Sequence, residues 1–235
     1  MRKAAIAVVA ALVLLAGADA AVASHAERAI AAPGIRASIG GFPYATALAS
    51  GKIPRVSTEF LDASIDGPGV GTVGVDVFNL ALDNPHDALT GEFQSGTARL
   101  VRRKVRLDGV GFGRLLGITD LDLANPYDIS PAGGGASEAR LTGTPPGADE
   151  SVTVVVTLRL EDGIFHMRPS MLVDDTDPAA FTLDFDTRTL PLGGPADRVQ
   201  LSGGSIEFSR DRINTVFESS DLDPLAGRAT LVKHD

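Results

Sequence analysis

The sequence predicts an α+β fold dominated by antiparallel sheet, and three observations carry that expectation. The first is alternation of apolar and polar side chains. Val152, Val154, Val156, Leu158 and Leu160 share one face of a segment whose other face carries Thr153, Thr157 and Arg159, the pattern of a half-buried strand. Phe181, Leu183 and Phe185 alternate with Thr182, Asp184 and Asp186 in the same way. The second is regular punctuation by turn residues: Asp66-Gly67-Pro68, Asn84-Pro85, Asn125-Pro126, Asp162-Gly163 and Gly193-Gly194-Pro195. The third is how little of the chain after residue 50 has a helical period.

Strands are predicted over 55–65, 73–80, 96–107, 118–123, 152–160, 163–173, 181–186 and 198–208. In the second of these, Val73, Val75 and Val77 interleave with Asp76, Phe78 and Leu80, a strand apolar on both faces. Short helices are predicted over 20–32, stopped by Pro33-Gly34, and over 43–50. A third falls within 108–118, capped by Asp108, with Val110, Phe112, Leu115 and Leu116 as its buried stripe. Its glycines, Gly109, Gly111, Gly113 and Gly117, argue against helix on propensity alone. Residues 131–147 and the tail from 218 to 235 read as mobile. No internal linker divides the chain, so residues 24–217 read as one domain.

The N-terminus has a separate logic. Arg2 and Lys3 precede an apolar run from Ala4 to Ala18, the layout of an export signal. The run is shorter than the ~20 residues of a comfortable bilayer span. Small-x-small sites follow at Ala18-Asp19-Ala20 and Ala21-Val22-Ala23. Cleavage there would leave a mature terminus near Ala21 or Ser24. The alternative is an uncleaved anchor over residues 1–23. Either way the chain is expected outside the cytoplasm, in the cell envelope or periplasmic space. It has no cysteine, so disulfides and thiol chemistry are out, and folding rests on the apolar core alone. A net charge of -9 disfavours nucleic acid as a partner, because two polyanions repel at long range.

Motifs of catalysis are not found. Gly69-x-Gly71-x-x-Gly74 matches the dinucleotide fingerprint in letters. That fingerprint needs a helix N-terminus behind it, and here a period-two run follows, so a glycine-rich hairpin is the better reading. His25, His86, His166 and His234 stand far apart with no zinc-type spacing. His166 reads as a surface or edge histidine. Asp174-Asp175-Thr176-Asp177 could hold Ca²⁺ but lacks the EF-hand register, and a solvated turn before Pro178 accounts for it. No nucleophile elbow or phosphate loop is present.

One segment is distinctive. Residues 39–51 contain Gly41-Phe42-Pro43-Tyr44, then Thr46, Leu48 and Gly51; Leu115-Leu116 and Leu190-Pro191-Leu192-Gly193 follow later. In content and order, from about residue 18 to 210, the chain resembles the LmeA-like phospholipid-binding family of actinobacterial cell envelopes. It departs from that pattern at Ala45, Ala47 and Ala49, where larger or polar side chains are usual. The resemblance implies a curved antiparallel sheet wrapped on helices, similar to tubular lipid-binding folds. It also implies a non-catalytic role, without cofactor or metal, binding phospholipid acyl chains in an apolar groove and supporting envelope lipid or lipoglycan maintenance. Candidate groove residues are Phe42, Tyr44, Leu48, Phe60, Phe78, Phe112, Leu115 and Leu116. A sixteen-carbon chain gains on the order of 12 kcal/mol on leaving water, before ordering costs, so such a groove needs no catalytic group to bind. The alternative is an extracellular β-sandwich for interaction or carbohydrate binding. With no Trp and two Tyr, the chain is short of the aromatic platforms that stack on sugars.

The last signal is five bases within residues 99–106 of an acidic chain. As a strand, this segment places Arg102, Lys104 and Arg106 on one face, a candidate site for a lipid headgroup or an anionic bilayer, each base contributing roughly 1 kcal/mol near such a surface. The other reading is a solvated face that discourages edge pairing. Docking predicts that the double variant Arg102→Glu/Lys104→Glu loses affinity for anionic liposomes, and loses its salt dependence, at unchanged thermal stability. Equal binding by variant and parent at every salt concentration would leave only the solvated face.

Overall fold

The computed structural model of the chain describes residues 2–126, 137–172 and 177–227. Among the described residues, eleven strands form two antiparallel sheets. One has the order β1-β2-β3-β4-β11-β10, from β1 (Ile35–Gly40), β2 (Lys52–Ile65), β3 (Gly69–Leu82), β4 (Ser95–Leu107), β10 (Arg198–Ser202) and β11 (Ser205–Glu218). The other has the order β5-β6-β7-β8-β9, from β5 (Asp122–Ala124), β6 (Glu138–Gly143), β7 (Val152–Glu161), β8 (Ile164–Leu172) and β9 (Leu183–Asp186). Helices are α1 (Arg2–Ile30), α2 (Ala45–Ser50), α3 (Asp87–Thr90) and α4 (Gly109–Leu116). The chain is β-rich, as expected, and its strands divide between two sheets.

By contacts the chain resolves into two compact units. The first comprises Met1–Glu59, Val75–Arg102 and Arg212–Asp223; the second Phe60–Gly74, Arg103–Asp211 and Pro224–Asp235. Each has its own apolar core. That of the first gathers Ala26, Tyr44, Ile53, Val56, Val75, Val77, Leu80, Phe93, Val101 and Phe217. That of the second is built on Val105, Phe112, Leu141, Val154, Val156, Phe165, Met167, Phe181, Leu190 and Phe208.

The alternation in β7 holds: Val154, Val156 and Leu158 are buried, and Arg159 is exposed. Asp162-Gly163 makes the two-residue turn into β8, with φ of 51° and 82°, both left-handed, and Glu161 pairs with Ile164. Asp-Gly suits that turn because its twist matches that of the strands. The predicted 198–208 strand is instead a hairpin. Gly203 and Gly204 adopt φ of 57° and 73°, and Ser202 faces Ser205. Three long strands reverse their phase at a left-handed polar residue. In β3, Val73, Val75 and Val77 are buried, then Asn79 at φ 48° shifts the buried series to Leu80 and Leu82. Asp62 in β2 (φ 54°) and Asn214 in β11 (φ 49°) have the same conformation, one that Asn and Asp tolerate better than other side chains.

Several expectations are corrected. The 118–123 strand shrinks to Asp122–Ala124, although Ile118 and Leu121 stay buried. The 131–147 stretch, expected to be mobile, contains β6, which pairs with both β5 and β7. Short polar residues among its apolar ones mask its alternation. The expected tail begins with a 3-10 turn, Ser219–Leu222. There Asp221 meets the Arg212 guanidinium at 2.5 Å, and the Leu222 carbonyl accepts from Thr58 Oγ1 at 2.7 Å. His166 lies in the interior strand β8, between β7 and β9. Of the Asp174–Asp177 segment, residues 174–176 and any cation site on them lie outside the described residues. Asp177 caps the turn Pro178–Phe181 through the Ala179 amide.

Helix α4 forms despite its glycines. The Asp108 carboxylate accepts from Gly111 N at 2.9 Å, the expected cap. A Cβ on Gly111 would stand 2.3 Å from the Val70 carbonyl oxygen, so the glycine is what lets the helix touch the strand backbone. Val110, expected in the buried stripe, is 73 % exposed. Phe112 is fully buried and begins an edge-to-face run, with Phe112–Phe165 centroids 6.0 Å apart and Phe165–Phe208 5.1 Å. Each such pair adds about 0.5–1.5 kcal/mol to the area term. Phe165→Ala is expected to lower unfolding free energy by about 3–5 kcal/mol, read as a shifted denaturant midpoint at unchanged slope. A loss below about 1 kcal/mol would remove Phe165 from the centre of the second core.

Candidate functional site

The site grows from the segment preceding α2. Phe42 and Pro43, joined by a cis peptide bond, lead into Tyr44, which turns inward. Tyr44 is 2 % exposed, and its hydroxyl donates to the Ala88 carbonyl at 2.6 Å. Burial, then the nearby Glu27 carboxylate, push its phenol up to about 12. The Asp19 carboxylate on α1 accepts from the amides of Tyr44 at 2.8 Å and Ala45 at 2.7 Å. It satisfies donors that open a helix and otherwise lack partners. Gly51 closes α2 at φ 66°, donating its amide to the Ala47 carbonyl at 2.8 Å.

With Tyr44 turned in, Phe42 is left outside at 78 % exposure, and Leu48 is half-buried. Together with Pro43 and Ala45 they form one wall of an apolar hollow of about 480 Å³, whose other wall is Ala16, Ala18, Asp19 and Val22 of α1. The volume is in the range of small-ligand sites. Three alanines make the room: larger side chains at 16, 18 and 45 would occupy it. Asp19 brings the one ionisable group of this lining, and its carboxylate oxygens are taken up by the two amides. A second hollow of about 680 Å³ is lined by Ile30, Ile35 and Phe93 but also by Glu92, Gln94, Ser219 and Asp223, a mixed surface less suited to acyl chains.

The sequence-derived candidates separate. Phe42 and Leu48 line the apolar hollow. Tyr44 is a core residue beside it, with its ring in the first unit's interior. Phe78 is half-buried under the Arg55 guanidinium, 5.2 Å from its ring centroid, and Arg55 is paired with the buried Asp76 at 2.8 Å. Phe112 lies within the second core, with Phe60, Leu115 and Leu116 packed partly buried against it. Those four belong to the second unit, apart from the residues of the hollow. Arg102, Lys104 and Arg106 share a face of β4 opposite Val101, Val105 and Leu107, as alternation required; they are half-buried, and each is engaged with a neighbouring group. Residues that sequence reasoning missed are Ala16, Ala18, Asp19 and Val22. Their one signal was an acid interrupting an apolar run.

Among the described residues no group of three metal-ligating side chains converges. His166 Nδ1 lies 2.6 Å from Asp184, which also takes the Arg168 guanidinium at 2.7 Å. These two partners, His166 foremost, hold the Asp184 carboxyl below its usual range, an exposed ion cluster whose described hydrogen bonds include no nucleophile.

A family model described as LmeA-like phospholipid-binding matches residues 9–230, nearly the whole chain, and the chain belongs to that family. No curated protein and no solved structure gives a match.

Burial of Tyr44 has a measurable consequence. Between pH 10 and 12 the unfolded chain loses the phenolic proton and the folded chain keeps it, so stability falls as pH rises. The loss reaches about 2–3 kcal/mol. Tyr44→Phe is expected to flatten that fall relative to the parent in denaturant titrations across this range. An equally steep fall in both proteins would contradict the buried, hydrogen-bonded phenol.

Proposed function

We propose that this protein is a non-catalytic phospholipid-binding protein of the cell envelope, which takes acyl chain into the apolar hollow between α1 and the Phe42–Leu48 segment. The observation that supports it most is an alanine-lined hollow, apolar but for a carboxylate committed to two amides, with an exposed Phe42 at its rim, in a chain of a phospholipid-binding family. An exposed phenylalanine beside such a hollow gains free energy when an apolar ligand covers it, and each methylene drawn from water adds roughly 0.8 kcal/mol. No proton transfer or nucleophile is required for that work. Support of envelope lipid or lipoglycan maintenance follows from carrying such a ligand outside the cytoplasm. The export-type N-terminus agrees with that location, and the net charge of -9 disfavours nucleic acid as a partner.

Native mass spectrometry of protein purified from membranes in mild detergent tests this reading. The parent is expected to carry phospholipid. Phe42→Asp and Leu48→Asp are expected to lose most of it. Phe42→Asp should cost no more than about 0.5 kcal/mol of stability, because the side chain it replaces is exposed. Phospholipid retained undiminished by both variants would overturn the site. Lipid-free parent protein that instead binds oligosaccharide would favour the interaction-module alternative.

A further inference from the structure

We infer that the hollow between α1 and the Phe42–Leu48 segment holds one acyl chain and no more, and that Ala16, Ala18 and Ala45 set the longest chain it accepts. The inference rests on the acyl-chain reading above and narrows its ligand. A monoacyl phospholipid fills the hollow, and a diacyl phospholipid leaves its second chain outside it. Volume decides the number. A hollow of about 480 Å³ holds about sixteen heavy atoms at roughly 30 Å³ each, the share of a water molecule in its liquid. That is one fatty chain of ordinary length, and two would need twice the room. The wall on α1 runs from Ala16 to Val22, a rise of about 9 Å, so a long chain lies bent there and leaves no space for another.

The second hollow does not extend the first. Ala29 and Ile30 line it, about two helical turns beyond Val22. Between them Ala26 is fully buried against Gly91, where an added Cβ would stand 2.7 Å from the Ala26 Cα. Its lining includes Glu92, Gln94, Ser219 and Asp223, and a methylene chain would displace water from such groups without replacing the lost hydrogen bonds. In the first hollow the polar end of a ligand is directed outward. Asp19 is the ionisable group of that lining, with its oxygens occupied by the Tyr44 and Ala45 amides. A phosphate drawn inside would meet a like charge and no base of the lining. What the hollow reads is therefore the length of the chain. Ala16, Ala18 and Ala45 are exposed and line it. Leucine at any of them adds three carbons to the lining at little cost to the helix, because leucine ranks close to alanine in helix propensity.

Monoacyl glycerophosphocholines of graded chain length, titrated below their micelle concentrations against the full chain, provide the test. Affinity is expected to rise roughly fourfold per methylene and to level off near sixteen carbons. In Ala18→Leu and in Ala45→Leu the plateau is expected about three carbons earlier, the number of carbons that leucine adds. The double variant is expected to bind the longest chains at least tenfold more weakly than the parent. With those chains, native mass spectra are expected to show one bound molecule fewer per protein in the double variant. Melting temperatures are expected to stay near that of the parent, because both alanines are exposed; should one variant prove unstable, the other still reports the plateau. A loss of two bound molecules, or a plateau unmoved by either leucine, would overturn the single-chain hollow and leave phospholipid binding standing. Absence of binding at every chain length would overturn both.

Discussion

The inward turn of Tyr44 governs the arrangement around the apolar hollow. A phenol that buries its ring must find a hydrogen-bond partner for its hydroxyl, and the Ala88 carbonyl in α3 supplies one. Once that contact is made, the backbone on either side has little freedom. Phe42, two residues earlier, is carried to the outside, and Leu48, one helical turn later, lies half-covered at the wall. The amides of Tyr44 and Ala45 then need acceptors, and Asp19 provides both. Burial of one aromatic ring thus decides where the exposed one stands and where α1 attaches.

The two cores solve a problem common to cysteine-free chains, that of holding long strands in a single register without covalent staples. Here the devices are local. Asp62, Asn79 and Asn214 each place a left-handed residue in a strand of fourteen, and the buried series changes phase there without a break in the strand. In the second unit, Gly111 in α4 brings helix backbone against strand backbone, and the Phe112–Phe165–Phe208 run packs edge to face in the core. Close approach and aromatic packing replace the cross-link.

Polar chemistry is kept away from the hollow. Asp76 is buried but answered by Arg55 and Ser57, and Asp221 by Arg212. The His166–Asp184–Arg168 cluster is on an exposed strand face. What remains at the hollow is alanine, valine, leucine, proline and one phenylalanine, beside a carboxylate already committed to two amides. Such a lining can distinguish apolar from polar ligands and little else, which suits binding of acyl chains and leaves headgroup identity to other parts of the surface.

The sequence by itself determined the elements whose cause is local. Alternation in β7, the Asp-Gly turn into β8 and the Asp108 cap of α4 all follow from residues within a few positions of one another, and the family motif around Phe42 is a contiguous string. Phase changes at Asp62 and Asn79 were legible only in part, since one left-handed residue leaves no mark in the letters beyond an Asn or Asp among apolar neighbours. Gly203-Gly204 was a turn signal passed over inside an apolar run. The candidate groove residues were mixed because size and apolarity are the same for a core phenylalanine as for a ligand-facing one. Phe112 and Phe42 differ in what the rest of the chain packs over them. Only the tertiary structure decided that Tyr44 faces inward, that Phe42 stays outside, and that Asp19 of α1 meets amides 25 and 26 residues away. Those outcomes depend on long-range contacts, whose free energy comes from surfaces brought together by folding rather than from any preference of the local chain.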